Sequence, residues 1–401
     1  MEEERRAAVQ GLDRQQAEMR GLVSDALFLH SHRPFHWLAE FPTVVVERGG
    51  FDCVVGNPPW VEVSKARKQY QPSGFRTLAT GNLYALCSER VLQLLAKGGR
   101  FSFIVQLPLV CSERMNETRN MLRENTDRLW TATFDDRPAK LFEGLEHCRS
   151  TIFILRKGKR GSVWGTRYHR WAAEFRLHLM DSVEYTLAPE RFFLDVFPKM
   201  AHKVEANLFE RMLSLSEQTQ AHLPMRPSTK SFVYYQEAVQ YWVKASVGVP
   251  GYRKNGVTMH PDHGRYIYLT NDDDAYRTVA VLISSLFYAY CIATTDCFHL
   301  TAGAINAFPF PQTLWQDTAL CRLGRQLMED LHRNATWTTI NTKDGSLIEY
   351  EAFYGKRSKP IMDQIDRVLG QHYGLTTEEL AFIINYDIKY RMGREEAEEA
   401  G

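Results

Sequence analysis

One short run constrains the fold more than any other: Phe51-Asp52-Cys53-Val54-Val55-Gly56-Asn57-Pro58-Pro59-Trp60. Residues 51–55 are apolar or β-prone apart from Asp52, which suits a buried strand of a parallel sheet better than a half-exposed one. Gly56 ends the strand, and two prolines then hold the chain extended and remove two backbone donors. The run predicts a stiff loop at the carboxyl end of a strand, where open α/β sheets place their ligands. Asn57 opens that loop and Trp60 closes it.

These residue types suit amino-group chemistry on a planar base. The exocyclic amine of adenine is a poor nucleophile, because its lone pair is delocalised into the ring. The Asn57 side-chain oxygen and the Pro58 carbonyl are two acceptors for its two hydrogens, able to draw the nitrogen towards tetrahedral geometry. Fixed acceptors of this kind favour the charge that develops during methyl transfer. Pro59 would stiffen the loop, and Trp60 would stack on a base flipped out of a duplex. A strand followed by an Asn-Pro turn with an exposed Trp is the plainer alternative and needs no chemistry.

Asn57-Pro58-Pro59-Trp60 resembles the catalytic motif of the amino-directed DNA methyltransferases in its adenine-N6 form. Gly81-Asn82-Leu83-Tyr84, the Gly-Gly-Arg-Phe turn at 98–101 and Leu141-Phe142-Glu143-Gly144 with 150–157 resemble later motif blocks of the same family. The resemblance is to the fused type IIG restriction-modification enzymes and their phage-defence relatives, which often have Asp where this chain has Asn82. Near the carboxyl end, 359–366 and 381–391 are similar to the last segments of those enzymes. The resemblance covers 36–393, and it implies S-adenosylmethionine as methyl donor, double-stranded DNA as substrate and Phe142 on the opposite face of the base. Cytosine-N4 is a minor variant, since that chemistry more often starts its motif with Ser or Asp.

At 401 residues the chain has room for two or three domains. Its 49 basic and 48 acidic residues leave a formal net charge of +1, so nucleic acid would have to bind through local patches or with help from another chain. Seven cysteines without a Cys-x-x-Cys pair argue against a zinc site and a disulfide framework. With no signal peptide and no apolar run of spanning length, the expectation is a soluble, cytoplasmic protein with no membrane partner.

Along the chain, 2–25 reads as a charged helix, 44–46 as a short β segment and Gly49-Gly50 as the turn into the key strand. The basic, aromatic stretch 62–81 includes Lys65, Arg67 and Lys68, candidates for phosphate contacts or simply a solvated loop. Leu83, Leu86, Cys87, Val91, Leu94 and Leu95 share one helical face, and Gly98-Gly99 would end that helix. Strands follow over 100–106, 129–134 and 151–155, with a polar helix over 112–127 between the first two. That alternation predicts a doubly wound sheet.

Missing from the first fifty residues is the Gly-x-Gly turn that lets a backbone approach the methyl donor. A βαβ unit needs about 30 residues or more, so the cofactor half of the sheet has no room there. In the family's sheet order the catalytic strand neighbours those missing strands, leaving 51–55 an exposed apolar edge that soluble proteins avoid. A second protein chain carrying the cofactor strands would cover it. A truncated or degenerate product and part of a longer enzyme are the alternatives. The nuclease pattern of a fused restriction enzyme is not convincing, since 351–356 has the right letters at the wrong spacing.

Beyond 165 the alternation stops. Phe232, Tyr234, Tyr235, Tyr241 and Trp242 are interleaved with Lys244, Arg253 and Lys254, a mixture suited to base edges and phosphates or to an ordinary small β core. The apolar stretch 279–292 reads as one core helix, Asn271 as a helix cap rather than part of a metal loop, and the last ninety residues as helical. The expected fold class is α/β: a partial Rossmann-like class I methyltransferase sheet, then a mixed α/β target-recognition region and a helical carboxyl-terminal region. The expected segments are 1–42, 43–165, 166–312 and 313–401. The functional expectation is the catalytic-loop and recognition subunit of a split adenine-N6 methyltransferase, with a non-catalytic DNA-recognition subunit of a defence complex as the other class.

Overall fold

The computed structural model describes residues 37–66, 72–144, 148–218, 223–261 and 264–391. The helix expected over 2–25, Arg67, Lys68 and the acidic tail lie outside them. The run that opens the argument forms strand β1 (Phe51–Gly56). Gly49 and Gly50 turn the chain into it with φ of +75° and +129°. At Gly50 the requirement is double, because a Cβ there would also lie 2.4 Å from the Leu94 carbonyl oxygen. Val44 to Val46 are not extended: Thr43–Glu47 is a π-helical turn, with Gly50 N–H donating to the Val44 carbonyl.

Helix α1 (Leu83–Leu94) crosses over to β2 (Leu95–Gln106), which pairs parallel with β1. Here the expectation for Gly98-Gly99 fails. The helix ends at Leu94, and Leu95 is already extended because it pairs with Phe51. Gly98 does adopt positive φ, but inside the strand segment. A short 3-10 turn (Glu113–Met115) shortens the next helix, α2, to Asn116–Glu124. It leads to β3 (Thr126–Phe134), and the chain then runs without a helix into β4 (Ser150–Lys157), which lies between β2 and β3 and antiparallel to both. The doubly wound pattern therefore describes β1 and β2 but not β4. Phe101, Phe103 and Phe153 meet edge to face where β2 and β4 pair.

Strand β5 (Ser162–His169) adds parallel to β3, and the two-residue β6 (Thr186–Leu187) closes that side, giving the order β1-β2-β4-β3-β5-β6. The sheet thus continues through the expected segment boundary at 165. β1 is the opposite edge. Its residues are half-buried or exposed, with Val55 75% exposed, so it is not the buried strand that its composition suggests. Among the described residues no strand pairs with its outer side.

After helix α3 (Lys203–Gln218), strands β7 (Ser231–Gln236), β8 (Ala245–Val247) and, after two further short strands, β11 (Gly264–Leu269) form a three-stranded antiparallel sheet. The intervening β9 (Tyr252–Lys254) and β10 (Val257–Thr258) belong to another sheet. The apolar stretch is two buried helices, α4 (Asp272–Ile283) and α5 (Ser285–Thr294), bent by 59°. Ser284 causes the break: it is extended, and its hydroxyl caps α5 by accepting from the Phe287 N–H. Asn271 caps α4 as expected. Among the described residues no single helix is long and apolar enough to cross a membrane.

Helix α6 (Thr318–Arg333) packs on α4. The carboxyl-terminal region is not all helical, because β12 (Thr336–Asn341) and β13 (Leu347–Ala352) form a hairpin that completes the sheet β10-β9-β13-β12. Its Trp-Thr-Thr-Ile stretch is β-prone, and a turn with Gly345 at positive φ joins the strands. Helices α7 (Lys359–His372) and α8 (Thr377–Ile384) end the described chain, with Thr376 and Glu379 forming a reciprocal capping box.

Candidate active site

The loop after β1 keeps its shape through the contacts on either side of it. Gly56 crosses the face of Phe103, where a Cβ would lie 3.0 Å from the ring. Pro58 is buried, while Asn57 and Pro59 are exposed. The Trp60 indole N–H donates to the Ile104 carbonyl of β2 at 3.2 Å, fixing the ring's edge and leaving a face for packing. Beyond it, Leu83 N–H donates to the Val61 carbonyl and Val63 N–H to the Gly81 carbonyl. Asn82 caps α1 by accepting from the Tyr84 N–H, a role that Asp fills equally well.

An open cleft of about 420 Å³ is lined by Asn57, Pro58, Pro59, Trp60, Phe142 and Glu143. Trp60 and Phe142 meet edge to face, with ring centroids 6.1 Å apart and planes at 69°. Residues 86 positions apart in the chain's reading order, by subtraction of 57 from 143, thus share one cleft. Among the described residues none hydrogen-bonds the Asn57 side chain, so its amide is available to a ligand. Two aromatic rings, an amide and a proline carbonyl make a cleft suited to a flat, polar-edged molecule. Glu143 escaped the sequence argument as a wall residue, although it adjoins Phe142 in a motif block.

A larger cleft of about 540 Å³ shares the connection after β3 with the first, through Asp136, Arg137, Cys148 and Arg149. Gln106 lines it from β2, Asp136 and Arg149 from the connection after β3, and Gln240, Phe298 and His299 from the second half. Its size does not make it the better candidate for chemistry. Arg149 is paired with Asp135 and Asp136 at 3.3 and 3.2 Å and stacks 5.2 Å from the Phe298 ring, so its charge is already matched. Burial and the adjacent Asp135 push the Asp136 carboxyl up. Burial pushes the Asp135 carboxyl up as well, but Arg170 and Arg149 outweigh that and hold it below the usual range.

The expected phosphate-binding cations are scattered. Lys65 is exposed on the helical turn Val63–Ala66, and Arg67 and Lys68 lie outside the described residues. Lys244 is exposed just before β8. Arg253 and Lys254 sit on β9 in the other small sheet, with the Arg253 guanidinium 4.7 Å from the Trp337 ring. Among the described residues none of these cations lines the Asn57 cleft. Among the described residues no group of three or more His, Cys, Asp or Glu side chains is placed to hold a metal ion.

Residues 4–139 match the Eco57I restriction-modification methylase family. That stretch is about a third of the chain; it includes the Asn57 loop and stops short of Phe142. No curated protein matches. Among solved structures the chain is similar to the type IIL restriction-modification enzyme MmeI in complex with DNA, at 10% identity and TM-score 0.49, over 89% of this chain and 58% of that one. It is also similar to a nuclease-deletion mutant of the type ISP enzyme LlaGI with a DNA substrate mimic (12%, TM-score 0.40, 76% and 47%) and to the type IIG endonuclease BpuSI (10%, 0.30, 83% and 54%). These are loose likenesses, and the chain spans about half the length of each of the three.

Proposed function

We propose that this chain is the catalytic-loop and DNA-recognition part of a site-specific DNA adenine-N6 methyltransferase, serving restriction-modification or phage defence in the cytoplasm. The observation that carries the reading is the convergence of Asn57, Pro58, Pro59 and Trp60 with Phe142 in one open cleft at the carboxyl end of β1. In this reading an extruded adenine lies between Trp60 and Phe142. The Asn57 side-chain oxygen and the Pro58 carbonyl accept the two amino hydrogens, which localises the nitrogen lone pair and favours the developing positive charge. Lys65, Arg67, Lys68, Lys244, Arg253 and Lys254 contact the backbone of the duplex.

The methyl donor in this reading is S-adenosylmethionine. The described residues place no Gly-rich strand turn along the outer side of β1, so they account for the base and not for the donor. A second chain that pairs with the β1 edge would bring the donor beside Asn57. Segments 43–165, 166–312 and 313–401 then divide the work into base handling, site reading and bracing, behind the amino-terminal segment 1–42.

A second reading, a recognition subunit without catalysis, is favoured by one observation. Phe232 and Tyr234 of β7 face Tyr266 and Tyr268 of β11 in a ladder of aromatic contacts. Native mass spectrometry of the chain purified from its host tests the first reading. A stoichiometric partner whose sequence carries the Gly-rich first-strand motif is expected. A lone chain that neither recruits such a partner nor binds S-adenosylmethionine would leave recognition as the function.

A further inference from the structure

Phe142 lies in the long connection 135–149, which has no strand or α-helix of its own among its described residues. Such a segment holds an aromatic wall in place only if something outside it does the holding. The segment following β5 runs alongside it as a splint. Asp135 N–H donates to the His169 carbonyl at 2.9 Å, and Ala139 N–H to the Trp171 carbonyl at 3.1 Å. Ala139 and Leu141 also pack on the small cluster of Ala132, Phe134, Trp171 and Leu179. Furthest along, in the 3-10 helix Ala173–His178, Arg176 reaches the tip. Its guanidinium donates to the Lys140 carbonyl at 3.2 Å and to the Leu141 carbonyl at 2.7 Å, and pairs with Glu143 at 3.3 Å.

Arg176 thus grips the backbone immediately before Phe142 and the side chain immediately after it. The planar fork of an Arg is suited to bridging two carbonyls, which a Lys point charge does not reproduce. Its ion pair with Glu143 is surface-exposed, at 46% and 89%, and contributes little to global stability. An exposed Arg spent on two loop carbonyls is hard to explain as fold stabilisation and simple to explain as placement of Phe142.

We infer that Arg176 is a positioning residue: it sets the distance of Phe142 from Trp60 and so the width of the base cleft. This rests on the reading of that cleft as a base site. The root of the loop is tied separately. Asp135 and Arg149, the first and last residues of the connection, pair with each other, and Asp135 also accepts from Arg170 Nε at 2.8 Å. The splint therefore links the cleft wall to the second half of the molecule, because Arg170 donates in turn to the Gln240 carbonyl and the Tyr288 hydroxyl.

The test labels the full chain with 5-fluorotryptophan and follows the Trp60 resonance by fluorine NMR, assigned with Trp60→Phe. Phe142→Ala gives the shift of a cleft without its wall. Arg176→Gln is expected to move the resonance at least about half of the way to that value while thermal stability stays nearly unchanged, as for most surface substitutions. In the Phe142→Ala background, Arg176→Gln should move it no further. Asp135→Asn, at the root, should give a smaller shift in the same direction. In the complete methylating complex, Arg176→Gln should lower kcat about tenfold with KM for DNA unchanged, the signature of misplacement rather than lost binding. A Trp60 resonance that responds to Phe142→Ala but not to Arg176→Gln overturns the inference and leaves the base cleft standing. A resonance indifferent to Phe142→Ala overturns both.

Discussion

At one edge of the six-stranded sheet, β1 runs for six residues with Val55 three-quarters exposed and, among the described residues, no strand on its outer side; at the other, β6 has only two residues. Short edge strands and covering segments are how soluble proteins protect a sheet from unwanted pairing. The far edge uses the first device, and among the described residues the β1 edge has only Trp37 and Phe41 packed on Phe51 at its start. The proposed catalytic residue follows directly from β1, whereas the other side carries the buried charges that join the two halves. In this contrast the β6 side is finished, and the β1 side is open among the described residues.

The finished side should be the most sensitive in stability. Arg170, 2% exposed, bridges Asp135, Asp387, Tyr288 and the Gln240 carbonyl, among the rings of Tyr168, Tyr241 and Tyr390. Arg170→Ala would leave Asp135 with Arg149 alone and take from Asp387 its ion-pair partner, and should cost about 3 kcal/mol in a denaturant titration. A loss under about 1 kcal/mol would break the contrast, since it would mean that the halves are held by something else.

At the open edge the expected effects are functional. Asn57→Ala should lower methylation by about 10²–10³-fold, in line with removal of one fixed polar group from a charge-stabilising site. DNA binding and thermal stability should stay close to wild type. Equal losses of binding and methylation, measured side by side, would contradict the assigned role.

A third prediction sharpens the finished side through pH. Glu205 is buried, one carboxylate oxygen accepting from the Ala201 N–H, and burial pushes its carboxyl up to about 8. Between the ordinary value of 4.5 and about 8, the folded chain holds a proton there that the unfolded chain has released. Stability from this group is therefore full in acid and lost as pH rises through that window. Raising the pH from 6 to 8 should cost on the order of 2 kcal/mol, and Glu205→Gln should abolish that dependence. Melting curves at the two pH values decide it.

The smallest effect concerns the edge itself. Val55→Lys puts a charge on β1 without disturbing any buried contact, and it should weaken partner association about tenfold while leaving the lone chain's stability unchanged. Unaltered association in a pull-down titration would move the partner's seat away from β1.

What the sequence revealed follows from how local the determinants are. The β1 strand, its Pro-stiffened loop and the Asn271 cap are each written in a few adjacent residues, and each lies where the sequence places it. Phe142 was legible only through resemblance, because its approach to Trp60 depends on a connection with no periodicity. The 44–46 segment became helical, since Val-Val-Val favours a strand only when a neighbouring strand is present to pair with it. Ser284 hid inside an apolar run whose composition suits a single helix. The hairpin of β12 and β13 went unread because the apolar residues of β12, Trp337 and Ile340, are exposed and three apart, which breaks the alternation of a strand. Arg176, Arg149 and Arg170 left no signal at all: in a chain with 49 basic residues, nothing in the sequence marks those that grip a loop.

The most direct test of the central claim is transfer of a labelled methyl group from S-adenosylmethionine to duplex DNA by the chain purified with its bound partners. The account predicts label on the N6 nitrogen of adenine, present with the wild-type chain and lost with Asn57→Ala. Complexes that hold DNA tightly yet transfer no label, with either chain, would contradict it and make this a recognition protein.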